Sequence, residues 1–389
     1  MNLFAEASEL LPQISRDRRH FHQNPELGFE EFETARFVAK RLESLGYEVK
    51  TGVGKTGVVA FSKGLTDGPV IMLRFDMDAL PMSEANETDY KSQCDGKMHA
   101  CGHDAHTASG LAAAELIMRH RDAFRASFKL VFQPAEELGM GAPAMIKDGV
   151  LENPRPDFAL GMHVWNDVEV GWLGLTVGPV MAGCDELVIQ IEGKGGHGGM
   201  PHLAKDPIVA AANVIMSLQS IVSRNLDPFE NAVLSIGSIH AGSASNIIPS
   251  SVEMKGTLRS YTSEARALIL ERAKKVIETV SDALGCKGLL RVEGSMAPTV
   301  NNPEVIALAL QASQKLGVEL KIDQAFHTAG SEDMSAYLQE IPGAFIFIGS
   351  ANANEGKNFP HHHPRFDIDE NCLPIGIALM LETALLLCK

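Results

Sequence analysis

Apolar and polar residues recur along this chain with two different periods. Apolar side chains return every three to four positions over residues 3–21 and 32–45, and this period predicts two amphipathic helices. Short apolar or β-branched runs bounded by glycine follow at residues 57–62 and 70–73, and such runs are typical of strands buried on both faces. The N-terminal part of the chain is therefore predicted to form two helices followed by a buried sheet.

Residues able to do chemistry come shortly after three predicted strands, at residues 70–73, 128–132 and 158–162. These residues are Asp76, Asp78, Glu136, Glu137 and His163. Open α/β sheets bind their ligands in the crevice beyond the carboxyl ends of parallel strands. We therefore predict an α/β fold with a mostly parallel sheet, helices on both faces and a functional site at that edge of the sheet.

The order of elements changes after Pro179. The succession becomes strand, helix, strand, strand, helix and strand, over residues 187–192, 206–223, 232–239, 251–260, 263–284 and 289–293. This βαββαβ order predicts a self-contained, ferredoxin-like α/β unit. The earlier pattern returns after about residue 297, and a chain of 389 residues exceeds what one hydrophobic core usually serves. We predict a discontinuous large domain of residues 1–181 and 296–389, with an inserted domain of residues 182–295.

A dense group of metal-binding residue types lies within residues 98–106. The group contains His99, Cys101, His103, Asp104 and His106. Cys101 and His103 are two positions apart around a glycine, so both can reach one ion from a turn. A lone histidine is more often a solvated surface residue, but a Cys-x-His pair with two further histidines favours a metal site. A helix predicted at residues 109–118 places the cluster where a loop enters that helix.

Four distant segments offer the same kinds of ligand atom. They contain Cys101 with His103, Glu136 with Glu137, His163, and the histidine run 361–363. Two divalent ions about 4 Å apart need several protein ligands, because each ion keeps a position open for water or substrate. Of two adjacent glutamates, one can bind metal while the other acts as general base. Asp78 is expected to orient a ligating imidazole, and Asp76 is left open as a ligand or an orienting group.

Each of these segments also has a purely structural interpretation. The Glu-Glu pair could be a solvated turn, His163 a core histidine bonded to backbone, and the histidine run a surface patch. In the inserted domain, His197 lies on a glycine-rich loop at residues 193–202 that lacks the strand and helix order of a dinucleotide site. Asn246 and Arg259 lie in or beside predicted strands. Arg259 could pair with a substrate carboxylate, or equally form a structural salt bridge.

Composition and charge narrow the possible partners. The formal net charge of −15 offers no basic stripe for nucleic acid and disfavours an anionic membrane surface. The six cysteines lack the spacing of a disulfide framework, so we expect a reducing, cytoplasmic location. The N-terminus does not have the pattern of a signal peptide. The segment at residues 372–389 is apolar, but Glu382 breaks its apolar run, which falls short of the roughly 18 residues a membrane span needs, so a buried helix is expected.

Several motifs together resemble those of a known enzyme family. They occupy residues 98–106, 133–137, 161–163, 195–197, 245–249, 331–333 and 362–367. In this order they resemble the metal-dependent amidohydrolases that include hippurate hydrolases, N-acetyl-diaminopimelate deacetylases and plant auxin-conjugate hydrolases. The resemblance covers nearly the whole chain. It implies a two-metal catalytic domain with an inserted lid and dimerisation domain, a homodimer or higher homo-oligomer, and hydrolysis of N-acyl amino acids or related amides.

The same resemblance implies roles for individual residues. The metal ligands would be Cys101, His103, Glu137, His163 and His362. The general base would be Glu136, and a histidine of the lid, His197, would help to hold the oxyanion. Asn246 and Arg259 are our candidates for binding the carboxylate of the amino acid. The ions would be Zn, Mn, Co or Ni.

Two other functions are kept as alternatives. A dipeptidase or carboxypeptidase could use the same two metals, and a metal-binding protein without catalysis could use the cluster alone. Structural zinc sites are closed by four ligands and need no free carboxylate beside them, so Glu136 next to Glu137 favours catalysis. The chain departs from the family pattern at Leu138, where many members have glycine, and at Val164, where hippurate hydrolases often have asparagine. Both positions are expected near the acyl group of the substrate.

Overall fold

A computed structural model describes residues 1–388, and the chain forms two compact units. Unit 1 comprises Met1–Val180, Thr299–His327 and the residues from Glu332 onward. Unit 2 comprises Met181–Pro298 and the short segment Thr328–Ser331. Unit 2 is therefore continuous except for four residues that return to it from the C-terminal half of the chain.

The regular elements are numbered in chain order. The helices within residues 1–388 are α1 (Leu3–Glu9), α2 (Leu11–Gln23), α3 (Phe32–Ser44), α4 (His103–Arg119), α5 (Gly141–Lys147), α6 (Pro207–Asn225), α7 (Ser263–Ala283), α8 (Pro303–Lys315), α9 (Met334–Leu338) and α10 (Leu373–Leu387). The strands within the same residues are β1 (Glu48–Val53), β2 (Gly57–Ser62), β3 (Val70–Asp76), β4 (Ser127–Gln133), β5 (Phe158–Glu169), β6 (Trp172–Gly174), β7 (Gly178–Met181), β8 (Gly183–Glu192), β9 (Gly196–His197), β10 (Ala232–Ala241), β11 (Ile247–Ile248), β12 (Ser251–Ser260), β13 (Lys287–Met296), β14 (Thr299–Asn301), β15 (Lys321–Asp323) and β16 (Gly343–Ala351).

Unit 1 is built on an eight-stranded sheet in the order β1-β2-β4-β3-β5-β16-β6-β15. Its central neighbours β4, β3, β5 and β16 are all parallel, whereas β1 and β2 at one edge are antiparallel. β16 is buried along its whole length, as its continuous apolar sequence predicts. Helix α4 packs on β3, β4 and β5, while α5 and α9 contact each other and pack on β4, β5 and β16. The predicted mostly parallel sheet covered by helices is confirmed.

Unit 2 is a four-stranded antiparallel sheet in the order β10-β12-β8-β13. Helices α6 and α7 pack against it and enclose a separate core that includes Leu187, Val214 and Ile269. The side chain of Asp206 caps α6 by accepting the amide of Ile208, and a proline at the first helical position suits that start. The predicted βαββαβ order is confirmed, and β9 with β11 adds a small ribbon that was not predicted.

The N-terminal helix differs from the prediction. Residues 3–21 form two helices, α1 and α2, rather than one, and Leu10 lies between them. Pro12 explains the break, because proline has no amide hydrogen and its ring would clash with a preceding carbonyl in a continuous helix. At the start of α2 the same proline costs little, since the first amides of a helix have no intrahelical partner.

Two strands also differ from the prediction. β1 was missed because it is an edge strand. Most of its residues are exposed, and its sequence contains no apolar run. β5 was predicted to end at Met162 but continues to Glu169, so His163 lies inside this strand, opposite Phe347. Pairing between β3 and β5 stops at Arg74 and Gly161. His163 therefore lies just beyond the point where β5 stops pairing with β3.

Two helical segments are long and apolar enough to cross a membrane by length and composition alone. They are Pro207–Asn225 and Glu370–Leu387. The second is mostly buried, and its helix α10 packs against α1, α4 and α8. That packing is what the core helix of a folded domain requires, in agreement with the predicted buried helix. The prediction that the chain does not enter a membrane stays a prediction.

Candidate metal centre

The loop carrying Cys101 and His103 is shaped by the glycine between them. Gly102 precedes α4 with φ of 90°, a left-handed conformation that side chains other than glycine rarely adopt. A Cβ atom at this position would also clash with the side chain of Val164. The helix then begins at His103, six residues earlier than the predicted 109. The predicted transition from loop to helix is confirmed, and it places both side chains at the start of α4.

His103 has one nitrogen fixed by the protein and one left for another partner. Its Nδ1 lies 2.9 Å from the carbonyl oxygen of Asp78 and 3.2 Å from the Oδ1 atom of the same residue. These acceptors place the ring proton on Nδ1. The Nε2 atom is buried and has no hydrogen-bond partner among residues 1–388, and it lies 3.9 Å from Glu136 Oε2 and 3.9 Å from Glu137 Oε1. A buried imidazole nitrogen beside two carboxyl groups is a ligand atom that fits a divalent cation.

His163 and Cys101 form the neighbouring part of the centre. His163 Nδ1 donates to the carbonyl of Val164 at 2.6 Å, which leaves Nε2 unprotonated at 3.5 Å from Cys101 Sγ. Burial lowers the pKa of His163 well below its ordinary value. Burial, followed by the charges of Glu137 and Glu136, raises the pKa of the Cys101 thiol. A divalent cation would reverse that effect, because a coordinated thiol loses its proton.

The adjacent glutamates have different surroundings. The backbone amide of Glu137 donates to Asp78 Oδ2 at 3.0 Å, and the Oε1 atom of Glu137 lies 3.3 Å from His362 Nε2. Burial would raise the pKa of Glu137, but His362 and His103 lower it below the ordinary value. Burial raises the pKa of Glu136 well above its ordinary value, and the negative charge of Glu332 adds to the rise. One glutamate thus favours the charged form and the other favours holding a proton.

The histidine run lies beside the loop that precedes α4. The amide of His362 donates to the carbonyl of Ala100 at 2.8 Å, and His362 itself has φ of 62°. Its neighbour His361 lies with Nδ1 at 3.9 Å from Cys101 Sγ and accepts the amide of Asn166 at its other nitrogen. His361 therefore borders the centre, although it was not among the predicted ligands. His363 instead accepts the amide of Arg365.

The five predicted ligands fall into two overlapping groups. Ligand atoms of Cys101, His103 and His163 lie within 4.8 Å of one another, and so do those of Cys101, Glu137 and His362. Each group mixes sulfur, nitrogen or oxygen donors of the kind that bind zinc and neighbouring transition metals. Cys101 belongs to both groups, so the structure brings all five predicted ligands together. The individual ligand roles stay predictions.

A buried network of charged side chains lies beside this centre. Arg74 on β3 donates to Asp76 at 2.5 Å, to Glu332 at 2.7 Å and to Asp333 at 2.9 Å. Carboxylate oxygens of Glu136, Glu332 and Asp333 lie within 4.8 Å of one another. Burial raises the pKa of Asp333 to about 7. One guanidinium faces several carboxyl groups, so acidic residues outnumber basic ones beside the site of the proposed cations.

A comparison of sequences identifies the family. The sequence profile of peptidase family M20/M25/M40 matches residues 72–386. This chain belongs to that family. N-acetyl-L-cysteine deacetylase of Bacillus subtilis is 41% identical over 377 residues, which cover 97% of this chain and 88% of that protein. IAA-amino acid hydrolase ILR1-like 4 of Arabidopsis thaliana is 40% identical over 372 residues, which cover 94% of this chain and 84% of that protein.

The solved structures agree with this assignment. The YxeP protein of Bacillus subtilis, a dinuclear metal-binding peptidase from the M20 family, superposes with a TM-score of 0.86 at 34% identity. The match covers 98% of this chain and 99% of that protein. The chain is thus a metal-dependent amidohydrolase of the M20 family, and the resemblance stated from the motifs is confirmed.

The remaining predicted residues of this M20 chain lie in unit 2. His197 is exposed in β9, where it pairs with Ile247 of β11, and its Nδ1 accepts the amide of Gly199 at 3.0 Å. The carbonyl of Asn246 accepts the amide of Gly198, so Asn246 lies beside the same turn. Arg259 on β12 donates from Nη1 to Ser331 Oγ at 2.6 Å. The structure brings His197 and Asn246 together. The guanidinium of Arg259 donates to a hydroxyl group rather than to a carboxylate.

Asp78 has the contacts that the sequence analysis predicted for it. One side chain holds the ring of His103 and the amide of Glu137, so it orients two of the proposed ligands. Sequence reasoning missed Arg74 as the partner of Asp76, although its position at the end of a buried strand was a usable signal. Leu138, where this chain departs from many M20 members, is exposed and lies beside Gly28.

Proposed function

We propose that this chain hydrolyses the amide bond of N-acyl amino acids, releasing a carboxylic acid and a free amino acid. The observation that carries the proposal is the pair of neighbouring glutamates on one imidazole nitrogen. Glu136 and Glu137 both approach His103 Nε2 at 3.9 Å, yet their pKa values are shifted in opposite directions. Opposed shifts of adjacent carboxyl groups separate a ligand from a general acid and base.

We propose that two divalent ions bind per chain. His103 and His163 would hold one with Cys101, and Glu137 and His362 would hold the other, with the thiolate of Cys101 reaching both groups. Bound there, the ions would lower the pKa of a water molecule and polarise the acyl carbonyl. Thiolate and imidazole suit Zn, Co or Ni, while the carboxylate also suits Mn.

Glu136 would move the proton between the two halves of the reaction. Its carboxylate takes a proton from the attacking water, and the resulting carboxylic acid gives that proton to the nitrogen of the leaving amine. The raised pKa of Glu136 supports this role, because a base that must later act as an acid works best when its pKa approaches neutral pH. The high pKa follows first from burial and then from Glu332, so the supporting network contributes to it.

We propose that unit 2 supplies the residues that recognise the substrate. His197 would donate a hydrogen bond to the oxyanion, and Asn246 with Arg259 would hold the carboxylate of the amino acid. In the structure one nitrogen of the Arg259 guanidinium is bonded to Ser331. Arg259→Lys should raise KM about tenfold without metal loss, because lysine cannot form the bidentate pair with a carboxylate. A tenfold change corresponds to about 1.4 kcal/mol. Ser331→Ala is the matched control for the contact with the hydroxyl.

We also propose that the chain forms a homodimer through unit 2. β10 lies at the edge of the antiparallel sheet and exposes Val233 and Ile239, while α6 exposes Val209 and Met216. Unpaired edge strands with apolar side chains readily pair with another chain, and a twofold dimer would pair β10 with its own copy. The reducing, cytoplasmic location proposed from the sequence agrees with six unpaired cysteines within residues 1–388.

A substrate panel tests the proposed reaction. The panel should contain N-acetylcysteine, an indole-acetyl amino acid, hippurate and a dipeptide with a free amino group, each assayed with the metal-loaded protein. We expect turnover of at least one N-acyl amino acid and little turnover of the dipeptide. Saccharolobus solfataricus has a relative named thermostable carboxypeptidase 2 that is 36% identical. Preference for the free dipeptide would favour that peptidase function instead.

A further inference from the structure

His106 is a buried histidine of α4 whose two ring nitrogens both have partners in the protein. Its Nδ1 atom lies 2.6 Å from Asp76 Oδ1, and its Nε2 atom lies 3.0 Å from the backbone amide of Val164. A backbone amide can only donate, so Nε2 must carry the lone pair of the ring. The ring proton is therefore on Nδ1, where it is donated to Asp76. The protein fixes both the orientation and the tautomer of His106.

The partner of His106 also holds a proposed metal ligand. The carbonyl of Val164 accepts from His163 Nδ1 at 2.6 Å. Both polar backbone atoms of Val164 are thus bonded to histidine rings, its amide to His106 and its carbonyl to His163. The proton of His163 is kept on Nδ1 by this contact, and Nε2 faces Cys101 Sγ at 3.5 Å. The backbone of Val164 therefore connects the two rings.

Packing restrains the same residues. The rings of His106 and His163 meet edge to face, with centroids 4.6 Å apart and planes at 74°. Gly102 leaves room for the side chain of Val164, since any Cβ there would clash with it. His163 therefore has little freedom to rotate away from the centre while His106 stays in place.

One observation raises a competing role for His106. Ligand atoms of Asp76, His103 and His106 lie within 4.8 Å of one another, a geometry that metal sites also show. His106 nevertheless has no free nitrogen, and the second oxygen of Asp76 is bonded to Arg74. A ligand would have to break one of these buried bonds first. The contacts favour a role through the backbone over direct coordination.

We propose that His106 is a positioning residue that holds Val164 so that His163 presents Nε2 to a metal ion. The inference rests on the proposed metal site and assigns a residue that the five-ligand set leaves out. Groups that orient metal ligands usually change metal affinity by about 10- to 100-fold when they are removed. The loss should therefore appear in metal binding itself, before any substrate is added.

Two amide substitutions separate the contacts of His106. His106→Gln places an amide near the position of Nε2 and can still accept the amide of Val164. His106→Asn places an amide near Nδ1, so it can still donate to Asp76 but leaves Val164 unpaired. Both variants lack the ring and have similar polarity. His120→Gln, at the other end of α4, is the control because His120 pairs with Glu6 at 2.6 Å, away from the metal centre.

Metal binding to the purified full-length chain is the measurement. Metal-free protein is titrated with Zn²⁺ in competition with a chromophoric chelator, and the Co²⁺ form is examined for its thiolate charge-transfer and ligand-field bands. We expect His106→Asn to weaken one ion by about 10- to 100-fold and to change the ligand-field bands. His106→Gln and His120→Gln should bind both ions much as the wild type does.

The outcomes distinguish the possible failures. Equal loss in the glutamine and asparagine variants would mean that His106 acts as a ligand or through Asp76, and wild-type binding in both would mean that it positions nothing; either result overturns the inference. If the wild type binds no metal, the proposed function itself fails. Should His106→Asn not fold, nitrogen-15 spectra of zinc-loaded His106→Gln decide the matter, because the proton on Nδ1 of His163 must then be retained. Its loss in the glutamine variant overturns the inference.

Discussion

The candidate residues of the two units differ in how completely the protein fixes them. In unit 1 the ring of His103 is bonded to Asp78, the ring of His163 to a backbone carbonyl, and Glu137 to both Asp78 and His362. In unit 2 His197 is exposed, and within residues 1–388 its ring forms one hydrogen bond, with the amide of Gly199. The metal centre is organised before substrate binds, whereas His197 depends on additional contacts to be held in place.

Burial explains the difference in electrostatic character. Carboxylates, imidazoles and a thiol in unit 1 lose their hydration and shift their pKa values through one another, as Glu136 and Cys101 do. Such groups favour cations, because a divalent charge offsets the cost of burying several negative oxygens. The exposed imidazole of His197, on the short β9–β11 ribbon, has fewer contacts that hold it and can adjust to a substrate. The comparison predicts that changes in unit 1 act on metal binding and chemistry, while changes at His197 act on the transition state alone.

Removing the metals should have the largest effect. Chelation is expected to abolish turnover, and a divalent ion should restore it. Cys101→Ser should weaken metal binding by more than the roughly 100-fold that loss of an orienting group costs, because a serine hydroxyl keeps its proton where a thiol does not. Elemental analysis of the active protein measures the stoichiometry, and we expect two ions per chain. A fully active protein with one ion would contradict the binuclear site.

The neighbouring glutamates should separate chemistry from metal binding. Glu136→Gln keeps the size of the side chain but removes the base, so turnover should fall by about 10²- to 10⁴-fold while both ions stay bound. Glu137→Gln is the matched variant one residue away, and it should lose metal. Steady-state kinetics and metal analysis on the same samples measure both effects. Equal loss of metal in the two variants would show that the roles were assigned wrongly.

Sequence reasoning reached the fold and the proposed ligands because their signals are local. The spacing of Cys101 and His103, the pair Glu136–Glu137 and the buried strand β3 are all visible in short windows. The contact between Arg74 and Glu332 is not, since it joins residues 258 positions apart and depends on where the segment before α9 lies relative to β3. His106 was noticed as part of a cluster, but its partner is a backbone amide, which has no sequence signature.

Two further gaps have conformational causes. The position of His361 beside Cys101 depends on how the histidine run folds, and nothing in a run of three histidines specifies the left-handed backbone at His362. The extent of β5 beyond Met162 depends on pairing with β16, a strand distant in the sequence. In both cases the missing information is a long-range contact that sets a local conformation, and single-sequence patterns do not contain it.

His197 tests the other half of the comparison. His197→Ala removes a donor to the developing oxyanion and should lower kcat by about 10²-fold or more with both ions retained. If a partner subunit supplies this histidine, mixing His197→Ala chains with Glu136→Gln chains should create dimers with one intact site and recover part of the activity. Verified chain exchange without recovery would mean that His197 acts within its own chain. Metal loss in His197→Ala would instead contradict the division of roles, in which unit 1 binds the metals and His197 acts on the transition state alone.

The smallest effect on turnover is expected at His22, a buried histidine of unit 1 that is not among the proposed ligands. Burial opposes protonation of His22, but hydrogen bonds to Asp104 at 2.8 Å and Glu84 at 3.3 Å raise its pKa to about 9. A raised histidine pKa stabilises the fold most below the unfolded value of about 6.5, and the contribution disappears as the pH rises through 9. The difference between the two pKa values corresponds to about 3 kcal/mol in the free energy of unfolding.

His22→Gln should therefore flatten the pH dependence of stability between about pH 6.5 and 9, while kcat at neutral pH changes little. Urea unfolding of the metal-free wild type and variant across this range measures the slope. His120→Gln is the control, since His120 pairs with Glu6 at 2.6 Å in a partly exposed position where an ion pair contributes little. The wild type should lose stability with rising pH, and the variant should lose less. Identical slopes in the two proteins would mean that the buried cluster around Asp104 does not keep His22 protonated over this pH range.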